Sequence, residues 1–243
     1  MVLRPVQVVP RCHCNFSPVP GRADWNRFDP MASPAEFRCR LCLVTPHAYD
    51  AEQFAPRLAD ALAGADVASL IITASSNDIR AASLLVPIAA ARGVAAVIHN
   101  DTRIAARTGA DGVHVDTGVA DLAAALDTFR KKKIVGAGNI GSRHDAMELA
   151  EAEPDYLFFG RLDGDTDDAI FPKALDLAAW WSSVTVIPAI VMGGRALASV
   201  EEAARNEIEF VALSSAIWTD ARGPSAAVAE VAERLAAARE PAA

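Results

Sequence analysis

Positive charge is what this chain is short of. Its 243 residues carry 23 Lys and Arg against 31 Asp and Glu, a net charge of −8 with a pI near 5.1. Nucleic-acid binding leans on clustered Lys and Arg that displace counterions from phosphates, so no nucleic-acid partner is expected. The one basic run, Lys131 to Lys133, reads as a solvated turn ahead of an apolar stretch. Long apolar runs are missing as well. Ala81 to Ile98 is broken by Pro87, Arg92 and Gly93, short of the roughly 18 apolar residues that a membrane span needs, so no membrane partner is expected. Cysteine occurs four times: Cys12 and Cys14 flank His13, and Cys39 stands three before Cys42. A zinc site would need the last two thiols to converge. On a strand, residues three apart face opposite ways, so a small buried hydrophobe at Cys42 and incidental thiols elsewhere are expected.

Residues 1 to 36 have their own character, with six prolines, no sustained period and no continuous apolar core of a signal peptide. They are expected to form an irregular extension that is disordered or not translated, with Met31 an alternative start, ahead of a single domain over 37–243. A cytoplasmic address follows by default.

What is abundant is a repeat. Four times a helix-like run gives way to an acid and then a short apolar strand: Ala65-Asp66-Val67, Ala110-Asp111-Gly112-Val113, Pro154-Asp155-Tyr156-Leu157 and Ile208-Glu209-Phe210-Val211. Four further apolar runs, Leu41 to Val44, Val94 to Ile98, Ile134 to Ala137 and Val184 to Val191, fall between them. Strands thus start roughly every 24 residues, room for a strand, a helix and two short loops. Helical spacing fits Ala51 to Ala63, with Gly64 as C-cap, Asp121 to Phe129, Ser142 to Ala152 with Ser142 as N-cap, Ser199 to Asn206 and Ala226 to Ala238. Alternation of this kind fits an open doubly wound sheet too. Eight units of near-equal length favour an α/β fold of the closed (β/α)8 TIM-barrel type, with its active site at the C-terminal strand tips.

Those tips carry Thr73, Asn100 with Asp101, His114 with Asp116, Gly138, Gly160, Gly193 with Gly194, and Ser214 with Ser215. Paired acids at neighbouring tips are a common way to hold Mg2+, with Asp101, Asp116 and Asp121 as candidate ligands. Asp101 serves equally well as the cap of a helix starting near Thr102. His114, with strand on both sides, reads as a core residue before a catalyst. Glycines at a strand-to-helix turn, followed by serines at the next, are suited to cradle a phosphate. The acidic stretch Asp163 to Asp168 begins like an EF-hand, but Asp168 and Ala174 stand where its glycine and closing glutamate belong, so a mobile solvated loop is expected.

His99-Asn100-Asp101, Gly109-Ala110-Asp111-Gly112-Val113-His114, Asp155 to Gly160, Gly193-Gly194 and Ser214-Ser215-Ala216-Ile217, in this order, resemble the thiamine-phosphate synthase and thiazole tautomerase superfamily over about residues 39–220. The resemblance implies a TIM barrel that joins hydroxymethylpyrimidine diphosphate to a thiazole phosphate, releasing pyrophosphate with Mg2+ through a carbocation-like step. It implies Asp101 as a Mg2+ ligand, Asn100 as a polar contact of the diphosphate, and Gly193, Ser214 and Ser215 as the thiazole-phosphate grip. Departures accompany it. Where that family carries Gln-x-Arg-x-Lys on strand two this chain has Ile71 to Ser75, Gly138 replaces a serine, and the acidic stretch replaces a Thr-Pro-Thr-Lys loop. Arg161 or Arg103 is expected to supply the missing cation. The alternatives are a barrel that has lost catalysis and binds thiazole phosphate or thiamine phosphate, and a tautomerase. The tautomerase histidine would fall near Gly141, with His144 a turn away.

Overall fold

The computed structural model describes residues 39–73, 79–129 and 132–238. The N-terminal extension, with Cys12, His13 and Cys14, lies outside them, as do Lys131 and the segment 74–78. Eight parallel strands close on themselves in chain order: β1 (Arg40–Val44), β2 (Ser69–Ile72), β3 (Ala95–His99), β4 (Gly112–Val115), β5 (Ile134–Ala137), β6 (Tyr156–Phe159), β7 (Ala189–Met192) and β8 (Phe210–Leu213), which pairs back with β1. Helices α1 (Ala51–Gly64), α2 (Ile79–Ala90), α3 (Thr102–Thr108), α4 (Val119–Phe129), α5 (Arg143–Ala150), α6 (Pro172–Val184), α7 (Val200–Arg205), α8 (Ser215–Trp218) and α9 (Pro224–Ala237) occupy the connections. This is the TIM barrel that the alternation predicts.

Three of the four acids of the repeat share one structural reason. Asp111 Oδ2 accepts the Ala96 amide at 2.8 Å, Asp155 Oδ2 accepts that of Val135 at 2.7 Å, and Glu209 Oε2 accepts that of Ala189 at 3.0 Å. Each acid precedes an even-numbered strand and satisfies an N–H at the start of the odd strand before it. Asp66 instead pairs loosely with Arg40 on β1, at 3.5 Å. Buried strand ends need such acceptors, because an unmatched buried N–H costs about as much as a lost hydrogen bond. The repeat therefore seals the floor of the barrel, the face where such folds keep stability rather than catalysis.

Strand parity divides the core in two. Outward residues such as Cys39, Leu41, Leu43, Leu70 and Ile98 pack beneath the helices. Inward ones, Cys42, Val44, Ile71, Val97, Tyr156, Phe158, Ile190, Met192 and Phe210, fill the lumen. Cys39 and Cys42 thus lie on opposite sides of the wall, and burial pushes the Cys42 thiol up to about 12.

Local signals hold in several places. Asp50, Asp101 and Ser142 cap α1, α3 and α5 by accepting from the amides of Gln53, Ile104 and Asp145. Two expectations are corrected. Gly64 ends α1 as its last helical residue, not its cap; a side chain there would overlap the backbone of Ser225 where α9 crosses. The apolar run from Val184 is not strand throughout: Val184 closes α6, Val186 is 60% exposed, and β7 begins at Ala189.

Candidate active site

Two groups of polar residues share the C-terminal rim. The first joins β3 to β4. Asn100, in the left-handed region at φ 54°, turns its amide toward Asp116, donating from Nδ2 to Oδ1 at 2.6 Å while its Oδ1 accepts the Asp116 backbone N–H at 3.0 Å. His99 Nε2 lies 2.8 Å from Asp116 Oδ2. Two bare acceptors would repel at that distance, so Nε2 carries the proton and donates it. These bonds, that of His99 first, hold the Asp116 carboxyl down at about 2, fully ionised near neutrality. Asp101 is adjacent, its Oδ1 occupied by the Ile104 amide. Asp121 stands apart, exposed in the first turn of α4.

Beneath this group, His114 closes the lumen. Its ring stacks on Tyr156 at 3° with centroids 5.7 Å apart, meets Phe158 edge-on, and places Nδ1 3.1 Å from the Tyr156 hydroxyl. Burial pushes its pKa down to about 3, so it is neutral and sits in the core, as its strand position predicts. Gly138 makes room for it: a Cβ there would lie 2.7 Å from His114 Nε2 and 2.9 Å from Cε1. The glycine that replaces the resembled family's serine is thus a packing partner of the histidine.

The second group surrounds a cavity of about 570 Å3 between the tips of β1, β2 and β8 and the loop after β6. Tyr49, Phe54 and Trp218 form an aromatic wall, with centroid spacings of 4.8 and 4.7 Å along it. Thr73 lies at the β2 tip, its hydroxyl 2.8 Å from that of Thr45 and donating to the Pro46 carbonyl at 3.0 Å. Ser214 and Ser215 line the β8 end. Three acids, Asp50, Asp163 and Asp165, face a single arginine, Arg57, among the described residues lining the cavity. Arg57 bonds the Trp218 carbonyl.

Several expected roles change here. Gly193 donates its N–H to the Ala212 carbonyl at 2.8 Å, and Gly194 donates to Ser199 Oγ at 3.0 Å, so neither amide is free to hold an anion. Gly194 is needed because the backbone of Asp168 and Ala169 lies where its Cβ would be. The acidic stretch is not a free solvated loop. The carbonyls of Asp167 and Asp168 accept the amides of Arg195 and Ala196 at 2.8 and 3.2 Å, and Asp165 Oδ2 accepts that of Ser215 at 2.7 Å. Gly160 begins the stretch at φ 99°, a conformation that favours glycine. Arg161 is bound by Asp163 through two bonds of 2.9 and 3.0 Å and is 77% exposed, so its charge is answered within its own loop. Arg103 lies exposed on α3, outside the cavity lining. Sequence reasoning missed Arg57, one helical turn beyond Gln53 on α1, and His99, whose register opposite His114 was the available signal.

The sequence profile described as "Thiamine monophosphate synthase" matches residues 41–217. The thiamine-phosphate synthase of Rhodospirillum centenum is 32% identical over 205 residues, covering 79% of this chain and 95% of that protein. The one from Hyphomonas neptunium is 29% identical, covering 79% and 91%. Among solved structures, a thiamine phosphate pyrophosphorylase from Pyrococcus furiosus superposes with a TM-score of 0.69 at 18% identity, covering 83% of this chain and 98% of that one. A barrel of matching topology, motifs in matching order and a match across most of its length come to one conclusion: this chain belongs to the thiamine monophosphate synthase family.

Proposed function

We propose that this chain is a thiamine-phosphate synthase-like transferase, joining hydroxymethylpyrimidine diphosphate to thiazole phosphate with release of pyrophosphate, in the cytoplasm. The observation that carries this reading is the bonded set His99, Asn100 and Asp116 beside Asp101 at the tips of β3 and β4, within a chain whose relatives bear that activity. The bond from the exocyclic methylene carbon of the pyrimidine to the diphosphate oxygen breaks ahead of attack, pyrophosphate leaves with the electron pair, and the thiazole nitrogen captures the carbocation-like carbon. Asn100 keeps the rim in register across two strands, and the aromatic wall of Tyr49, Phe54 and Trp218 offers a flat face to a heterocycle.

The donor chemistry suits Mg2+. Asp116 is ionised, and the cap of α3 uses only Oδ1 of Asp101. Among the described residues no three His, Cys, Asp or Glu side chains gather as a metal cluster. Mg2+ needs no such cage, since it binds through one or two carboxylates and takes its other oxygens from substrate phosphates and water. Asp101 and Asp116 would hold it, and it would supply charge neutralisation of the diphosphate. The exposed Asp121 is left to the helix N-terminus, where an acid is favourable.

Incubating the purified protein with both substrates and Mg2+, and following thiamine phosphate by mass spectrometry, tests the assignment. No product at saturating substrate, with the barrel's circular dichroism intact, refutes it. A second reading, a barrel that binds a phosphate ester without catalysis, is favoured by the single arginine facing three acids in the cavity. Calorimetry separates the two, since such a binder takes the thiazole phosphate and ignores the diphosphate. Histidine-based tautomerisation has little support, with His114 in the core and His144 exposed on α5.

A further inference from the structure

We infer that Asp165 is an internal anion seated in the phosphate corner, and that a phosphomonoester enters only by displacing its carboxylate. The inference rests on the proposed reading together with the serine grip on the thiazole phosphate that the family resemblance implies after β8, and it makes Asp165 the residue that sets affinity for that ester. Three observations meet on it. Asp165 Oδ2 accepts the Ser215 N–H at 2.7 Å, the donor that the serine turn would otherwise offer to a phosphate oxygen. Ser215 Oγ, one side chain away, is buried with no hydrogen-bond partner among the described residues. The stretch carrying Asp165 is fixed on both sides, by Arg161 with Asp163 before it and by the amides of Arg195 and Ala196 after it.

The orphaned hydroxyl indicates what the corner is shaped for. A buried hydroxyl without a partner is unfavourable, and native proteins rarely tolerate one without a reason. A carboxylate that gives one oxygen to the amide leaves the hydroxyl unmatched. A tetrahedral phosphate presents three oxygens and can take the N–H and the O–H together. The two anions cannot share the corner, because their charges repel at contact distance and the cavity brings one arginine to oppose three acids. The flanking anchors bind backbone at residues 167 and 168, so the side chain of Asp165 can swing out while the stretch stays attached.

Inorganic phosphate is the probe, added to the full chain and followed by calorimetry. Asp165→Ala empties the corner, and its affinity for phosphate should rise at least about ten-fold over the native protein. Asp165→Asn removes the charge but keeps an oxygen for the Ser215 amide, so it should bind phosphate more tightly as well and is the measurement to use if the alanine variant fails to fold. Adding Ser215→Ala to either variant, which removes the hydroxyl but keeps the backbone N–H, should reduce the gain. Phosphate affinity that is unchanged or weaker in a folded variant overturns the inference, as does a gain that Ser215→Ala leaves undiminished. None of these readings involves the diphosphate or turnover, so an inactive protein that still shows the gain would refute the synthase assignment alone.

Discussion

Gly138→Ser, the substitution that restores the serine of the wider family, should damage this protein instead of repairing it. The new Cβ would stand 2.7 Å from His114 Nε2 and 2.9 Å from Cε1, closer than side-chain atoms pack. The ring has nowhere to retreat. It is stacked on Tyr156, met edge-on by Phe158, and within hydrogen-bond range of the Tyr156 hydroxyl, and its residue is 1% exposed. Overpacking of such a core costs about 1–3 kcal/mol. For a domain of this size that corresponds to a fall in Tm of roughly 2–4 °C per kcal/mol, hence about 2–12 °C. Thermal unfolding followed by circular dichroism reads it directly. A double-mutant cycle with His114→Ala should recover about 0.5–3 kcal/mol as coupling between the two sites. An unchanged Tm in Gly138→Ser, or no coupling in the cycle, would show that His114 is not what excludes a side chain there.

Asp101 can be divided into its two roles. Asn is as good an N-cap as Asp, so Asp101→Asn should leave the unfolding free energy within a few tenths of a kcal/mol of native while lowering turnover at least about ten-fold at fixed Mg2+; equal turnover removes the ligand role. Glu209→Ala leaves the buried Ala189 amide without its acceptor and should cost about 1–3 kcal/mol in denaturant unfolding, with Glu209→Gln costing less because an amide oxygen still accepts. His114 gives the fold a pH dependence. Its folded pKa is depressed from 6.5 to about 3, so the unfolded chain binds the proton first, and the associated stability is present above pH 6.5 and lost as pH falls toward 3. The loss is on the order of 5 kcal/mol, and His114→Gln should flatten the profile across that window in urea melts. A profile as steep as native would assign the acid sensitivity to other groups.

The barrel was legible because its signals are local. An acid set before an apolar run reports a buried strand end that needs an acceptor, and Asp111, Asp155 and Glu209 each fill that need. Caps at Asp101 and Ser142 were readable for the same reason. The stretch from Val184 to Pro188 misled because hydrophobic composition does not distinguish a strand from a connection in which Val184 and Val186 are exposed and Ile187 packs on the core. The site was harder to read. A glycine turn at a strand tip suggests free amides, yet whether Gly193 and Gly194 face a ligand depends on Ala212 and Ser199, which sequence cannot place beside them. Arg57 was out of reach for a similar reason. It enters the cavity from α1 and is held by a carbonyl of Trp218, a contact across 161 positions.

The charges on the rim bear on how such a site can take anionic substrates at all. A unit pair at 4 Å is worth about 1 kcal/mol in water and about 4 at an effective dielectric of 20, so each uncompensated acid weighs against a phosphate. Several acids are compensated internally. Asp116 is balanced by donors from His99 and Asn100, and Asp163 by Arg161. Asp165 has only the Ser215 amide and no cation within bonding distance among the described residues. Asp50 is likewise held by a single amide, that of Gln53, where it caps α1. Arg57 lines the same cavity and is held by the Trp218 carbonyl at the opposite end of the short α8, whereas Arg161 is paired within its own loop and Arg103 lies outside the cavity lining.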